Sequence, residues 1–239
     1  MKHLFYLSLL LLLPTLSAQE VTVVFQPVLG GVALEVAEEG GAAGAEEVKK
    51  SHALNVETLR FYLSDVVLLK AGAVVHRAAK KHHLIDAERP KTLRLPLQTV
   101  ADYDELRFTF GVDSLTAASG AFGADLDPTN GMYWTWRSGY INFKLEGTSP
   151  DCPARKNRFQ FHVGGFQGPF NSEREVSLRV SPDTIISVQI DLDHFFAATD
   201  LSTDYQIMSP SAQSAALADL LVALFRINSS PKSRQSNAH

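Results

Sequence analysis

Hydrophobic and polar positions alternate along most of this chain. In VTVVFQPVL (21–29), β-branched and aromatic residues recur with the period of two expected of a half-buried strand. ETLRFYLSDVVLL places Leu59, Phe61 and Leu63 on one face and Arg60, Tyr62 and Ser64 on the other. ELRFTFGV repeats this with Leu106, Phe108 and Phe110, and YINFKLEG with Ile141, Phe143 and Leu145. Further strands are predicted over 32–37, 57–70, 73–76, 83–87, 93–97, 105–112, 140–147, 158–163, 174–180 and 185–192, divided by Gly, Pro, Asn and Asp clusters. Many short strands without alternating helices predict an all-β fold, an antiparallel β-sandwich, Ig-like in style. The period changes once, near the end. Ser209-Pro210 supplies a helix start, and Ala216, Leu217, Leu220, Leu221, Leu224 and Phe225 recur at helical spacing. One C-terminal helix over 210–226, packed on the sheets, is therefore expected.

The two ends and one internal stretch follow other rules. Met1-Lys2-His3, the apolar run Leu4 to Leu13, and Pro14 followed by small residues have the layout of a secretory signal peptide over 1–18, cleaved near Ser17 or Ala18. The run is about half the roughly 20 residues that a membrane span needs, so no membrane span is expected. The predicted location is periplasmic or secreted. EEGGAAGAEEVKK (38–50) reads as a loop, the tail 229–239 as disordered, and 19–228 as one domain with no internal repeat or linker.

Composition narrows the function. The chain has 239 residues, 45% hydrophobic and 20% charged, enough for a sizeable core. Its net charge is -4, with 22 Lys+Arg scattered among 26 Asp+Glu, so no basic stripe is present to neutralise nucleic-acid phosphates. A single cysteine, Cys152, excludes an internal disulfide and a cysteine-based metal site, and reads as an incidental loop residue. No phosphate-binding glycine loop, nucleophile elbow or H-E-x-x-H pair occurs. Acid pairs such as Asp102–Asp104 or Asp191–Asp193 read as solvated carboxylates, and the chain is expected not to be an enzyme.

The chemistry concentrates in DPTNGMYWTWRSGYINFKLEG (127–147), which holds both tryptophans, Trp134 and Trp136. In an extended segment these two and Met132 share a face. Behind an Asp-Pro-Thr-Asn-Gly turn they could line a site, with Tyr133 and Tyr140 adding aromatic area. In NRFQFHVGGF, His162 falls on the polar phase against Phe159, Phe161 and Val163, and Gly164-Gly165 follow, allowing close backbone approach. His82 and His83, beside Lys80-Lys81, read as a basic surface turn. His76 and His194 read as structural, and His52 closes the charged loop.

These segments together resemble the MbnP-like copper-binding proteins, exported β-sandwich proteins named for a periplasmic partner of methanobactin. The resemblance runs through LRFYLSDVVL (59–68), HLIDAE (83–88), LRFTFGVD (106–113), GMYWTWRSGYINFKLEG (131–147), FHVGG (161–165) and IMSPS (207–211). It implies a periplasmic copper-binding protein acting in copper acquisition or handling. It further implies a tryptophan oxidised to kynurenine by a dihaem partner of the MbnH type, related to cytochrome c peroxidases. Carried onto this chain, the oxidised residue is Trp134 or Trp136, and His162 and Met132 are the copper ligands at hand, as Cu(I) or Cu(II). The first strand reads VVFQPVLGG, with Gln26 and Pro27 where such relatives carry histidine. The alternative is a β-sandwich that binds a non-metal ligand or a partner through its Trp/Tyr cluster.

Overall fold

The computed structural model describes residues 19–36, 54–99, 102–136 and 139–228. The expected signal peptide, the 38–50 loop, His52 and the tail 229–239 lie outside the described residues. The strands are β1 (Gln19–Leu29), β2 (Val32–Ala33), β3 (Asn55–Lys70), β4 (Ala73–Arg77), β5 (His82–Asp86), β6 (Arg94–Thr99), β7 (Glu105–Phe110), β8 (Tyr133–Trp134), β9 (Gly139–Thr148), β10 (Arg158–Gly164), β11 (Arg174–Arg179), β12 (Ile185–Asp191), β13 (Gln206–Ile207) and β14 (Phe225–Ile227). Helices α1 (Ser114–Ala118), α2 (Leu192–Ala197) and α3 (Ala212–Val222) are interspersed.

The alternation seen in the sequence builds a β-sandwich. One sheet runs β14–β12–β1, with β6 and β2 on the far edge of β1. The other runs β11–β7–β3–β9–β10–β13, and β4, β5 and β8 add to it. Val21, Val23 and Phe25 from the first sheet face Leu59, Phe61, Phe108 and Phe143 from the second, all buried. Phe25 meets Phe61 and Phe108 edge-on at 6.2 and 6.3 Å, and Phe225 closes on Phe108 at 5.3 Å. In β3 the inward phase shifts from Leu59, Phe61 and Leu63 to Val66 and Leu68. Asp65, at φ 50°, is the extra residue of a bulge that makes the shift.

Four expectations need correction. The sheets are largely but not purely antiparallel: β1 pairs β12 in parallel from Thr22↔Ile185 to Val28↔Asp191, and β10 pairs β13 in parallel. Side-chain alternation is the same in either direction, so periodicity cannot tell them apart. The single C-terminal helix is one of three among the described residues, because α1 and α2 span only five and six residues, too few to show a helical period. The C-terminal helix itself covers 212–222 rather than 210–226; Ser211 caps it, accepting from the Ser214 amide, and the chain then leaves as β14. Strand 32–37 is also shorter, ending at Ala33.

What positions the candidate site is the outer face of the larger sheet. Arg60, Tyr62 and Ser64 point there, yet Tyr62 and Ser64 are fully buried. Residues 111–136, between β7 and β9, fold across this face and build a second apolar cluster with Tyr62, Leu84, Val112, Leu126, Met132, Trp134 and Tyr140. The Asp127–Gly131 turn is pinned at both ends. Asp127 Oδ1 accepts from the Thr129 amide, and Gly131 closes the turn at φ 69°. Arg60 then donates to the Asn130 carbonyl at 3.0 Å, tying the turn to the sheet.

Candidate functional site

His162 lies on β10, whose Phe159, Phe161 and Val163 enter the sandwich core while His162 takes the outer face. It is only 7% exposed. Antiparallel pairing sets His162 opposite Lys144 and Gln160 opposite Glu146. The neighbouring carboxylate reaches across diagonally, and His162 Nε2 sits 2.6 Å from Glu146 Oε1. A carboxylate only accepts, so Nε2 carries the proton, and in the neutral imidazole the free lone pair is on Nδ1. That hydrogen bond, aided by Lys144 and Gln160 and opposed by burial, pushes the Glu146 carboxyl down to about 2. A carboxylate that orients a histidine in this way is the usual support of a metal-bound imidazole.

Trp134 stands on the other side of the same corner. Its benzo ring lies against Gly164, two residues along from His162. A Cβ at Gly164 would come within 2.7 Å of Trp134 Cζ3 and 2.4 Å of the Tyr140 carbonyl oxygen, so only glycine admits this approach. Trp134 is 5% exposed, and its indole Nε1 is buried without a hydrogen-bond partner among the described residues. An unmet buried donor costs about 1–3 kcal/mol, and native folds rarely carry one without a reason.

The other candidates are separated. The strand holding Trp134 is two residues long, and the chain turns at Thr135–Trp136, so the shared face expected of an extended segment does not form. Trp136 is 62% exposed, with its ring centroid 6.1 Å from that of Trp134. Met132 has no exposure and packs inside the outer apolar cluster. Beside Trp134 opens a cavity of about 300 Å³ lined by Phe166, Pro169, Phe170 and Pro210.

The remaining histidines lie elsewhere. His83 is buried and hydrogen-bonds the Lys80 carbonyl at 3.1 Å, and His82 meets Asp113 at 2.9 Å. The expected basic surface turn is thus a strand, β5, held into the sheet. His76 lies in the β3–β4 hairpin, and the His194 amide donates to Asp191 at the start of α2. Cys152 is a fully buried free thiol that donates to the Arg158 carbonyl. Among the described residues no group of three or more His, Cys, Asp or Glu is placed to hold a metal ion. The close approach expected at Gly164 is the one that Trp134 and Tyr140 make, whereas Glu146 was not singled out in the sequence. The hairpin order of β9 and β10 was the signal for Glu146, since Lys144 and Glu146 share the outward phase of His162.

This constellation can be set beside known proteins. A profile of the MbnP family matches residues 18–209. The chain belongs to the MbnP family. MbnP from Methylosinus trichosporium has a similar solved structure, with a TM-score of 0.55 and 16% identity over 82% of this chain and 83% of that one. At that identity the likeness is one of fold. Among curated proteins none matches. The family match spans the outer-face segment, β9 and β10, and therefore the whole Trp134–His162 corner. Among the described residues no helix is long and apolar enough to cross a membrane.

Proposed function

We propose that this MbnP-family chain is an exported, periplasmic copper-handling protein of the methanobactin system, and that it catalyses nothing itself. In this reading Trp134 is oxidised to kynurenine by a dihaem partner, and copper is the cargo. The observation that carries it is the buried indole of Trp134, without a hydrogen-bond partner among the described residues and packed on Gly164, two residues along β10 from the Glu146-held His162. Oxidation replaces the indole with an aryl amine and a ketone, which supply the donors that an indole lacks. His162 is the imidazole ligand, through Nδ1. Met132 belongs to the packing, and Trp136 to the rim. With one histidine and no cluster of three ligand side chains among the described residues, the unmodified chain should hold copper weakly. The modified chain should hold it more tightly.

The test is an anaerobic Cu(I) titration of the mature protein against a competing chelator, before and after co-expression with the dihaem partner. Binding unchanged in His162→Ala would remove the assigned ligand, and no binding in either form would remove the function. Intact mass checks the modification, since kynurenine adds about 4 Da at Trp134. A second reading has its own observation in the 300 Å³ cavity beside Trp134, with exposed Trp136 nearby. It makes this face a copper-independent site for an apolar ligand. A ligand that quenches tryptophan emission equally with and without copper, in a chain that binds no copper, would favour it.

A further inference from the structure

Five of the chain's eight tryptophan and tyrosine residues lie in one body on the outer face of the larger sheet. Trp136 and Trp134 have centroids 6.1 Å apart, Tyr133 and Tyr140 lie at 5.0 Å, and Tyr140 and Tyr62 at 5.8 Å. Tyr133 and Trp134 are neighbours in β8. Only Trp136 of these five is largely open to solvent. Buried Trp134 is therefore hard for a bulky oxidant to touch directly, whereas Trp136 presents its ring.

We infer that Trp136 is a relay, the ring at which a docked one-electron oxidant removes an electron destined to come from Trp134. The inference rests on the reading of Trp134 as the residue that is oxidised. The oxidant, a high-valent metal complex by class, takes one electron from Trp136 and is reduced by one unit. Trp134 then returns one electron to the Trp136 radical cation, which restores Trp136 and leaves the radical cation on Trp134. No bond forms or breaks in either transfer.

The surroundings keep the oxidising equivalent off the neighbouring buried phenols. Tyrosine oxidation requires the phenol to lose its proton, and the Tyr62 and Tyr140 hydroxyls donate to the backbone carbonyls of Asp125 and Leu126. A backbone carbonyl is no base, and burial raises both phenols above their ordinary pKa. The Trp134 Nε1–H has no acceptor among the described residues, so the radical cation keeps its proton. Half-buried Tyr133 is the phenol at which charge can leak to water.

The experiment uses the full mature chain and photogenerated tris-bipyridyl ruthenium(III) as the oxidant, without oxygen. Transient absorption and electron paramagnetic resonance identify the radicals, and peptide mapping after admitting oxygen locates the damage. Wild type should show a tryptophan radical cation at Trp134. Trp136→Phe should lower the Trp134 yield by about an order of magnitude. Trp136→Tyr should lower it as well, because an exposed phenol loses its proton to water and traps the charge at that position. Tyr133→Phe should lengthen the life of the Trp134 radical. Near-ultraviolet circular dichroism checks that each variant is folded. An unchanged Trp134 yield in Trp136→Phe overturns the relay, as does a wild-type radical found only on tyrosine. No copper is involved. A relay that works in a chain that never binds copper would leave this inference standing and remove the proposed function, and the converse result would do the opposite.

Discussion

Gly164 is the position where the packing of the site can be tested most sharply. In Gly164→Ala the added methyl would lie 2.4 Å from the Tyr140 carbonyl oxygen and 2.7 Å from Trp134 Cζ3. Both are far inside van der Waals contact. The ring could swing away, but the carbonyl belongs to β9 and cannot move without disturbing the sheet. Overpacking of this kind costs about 1–3 kcal/mol, and a fixed backbone neighbour argues for the upper end. In a domain of this size that is a loss of roughly 6–12 °C in Tm. Two controls separate the site from the fold. Gly147→Ala puts a methyl 2.0 Å from the Asn55 carbonyl oxygen and 2.6 Å from Phe159, so it should destabilise at least as much. It should do so without altering Trp134. Gly123→Ala meets nothing within 4 Å and should be neutral or stabilising by about 0.5 kcal/mol. The assay is urea unfolding followed by tryptophan emission in a Trp136→Phe background, which isolates Trp134. The reasoning fails if Gly164→Ala unfolds within about 0.5 kcal/mol of the parent with unchanged Trp134 emission.

Three further outcomes follow from the same contacts. The Glu146 carboxyl falls from its ordinary 4.5 to about 2 on folding, so its contribution is complete above pH 4.5 and is lost as the pH drops through 2. The ceiling is about 3 kcal/mol, and Glu146→Gln should flatten the acid limb of urea midpoints measured from pH 6 down to pH 3. Met132, without exposure in an apolar cluster, should cost about 2–5 kcal/mol as Met132→Ala. Met132→Leu should stay within about 1.5 kcal/mol of wild type and leave Cu(I) affinity unchanged; a fall in affinity would restore the thioether as a ligand. The Cys152 thiol, fully buried, should react with an aromatic disulfide reagent only as fast as the protein unfolds, and immediate labelling in native buffer would contradict its placement.

The inward faces of the strands were legible because they repeat every two residues, and Leu59, Phe61 and Leu63 are buried as that period requires. The opposite phase was misleading. Arg60, Tyr62 and Ser64 look like a solvated face, yet two of the three are buried by a segment that begins nearly fifty residues later. A covering made over such a separation leaves no mark in the local pattern. The tryptophans show the same limit: the spacing of two implies a shared face only where the chain stays extended, and it turns at Trp136. Glu146 stands in the motif itself, but its role depends on the β9–β10 register, which reaches across nine intervening residues.

A sandwich sheet has one face committed to the core, and its other face is ordinarily left to water. Here the second face is roofed by residues 111–136, with Tyr62, Leu84, Met132 and Trp134 sealed beneath and the Glu146–His162 pair on strands at its side. Partial removal from water strengthens the Glu146–His162 attraction, which keeps the imidazole in one orientation. It also means that Trp134 can change chemically without touching Phe25, Phe61 or Phe225, which hold the two sheets together. Chemistry on this face is thus separate from the aromatic packing between the two sheets. For that reason substitutions at His162 or Trp136 should alter binding or oxidation while leaving the cooperative unfolding of the sandwich in place.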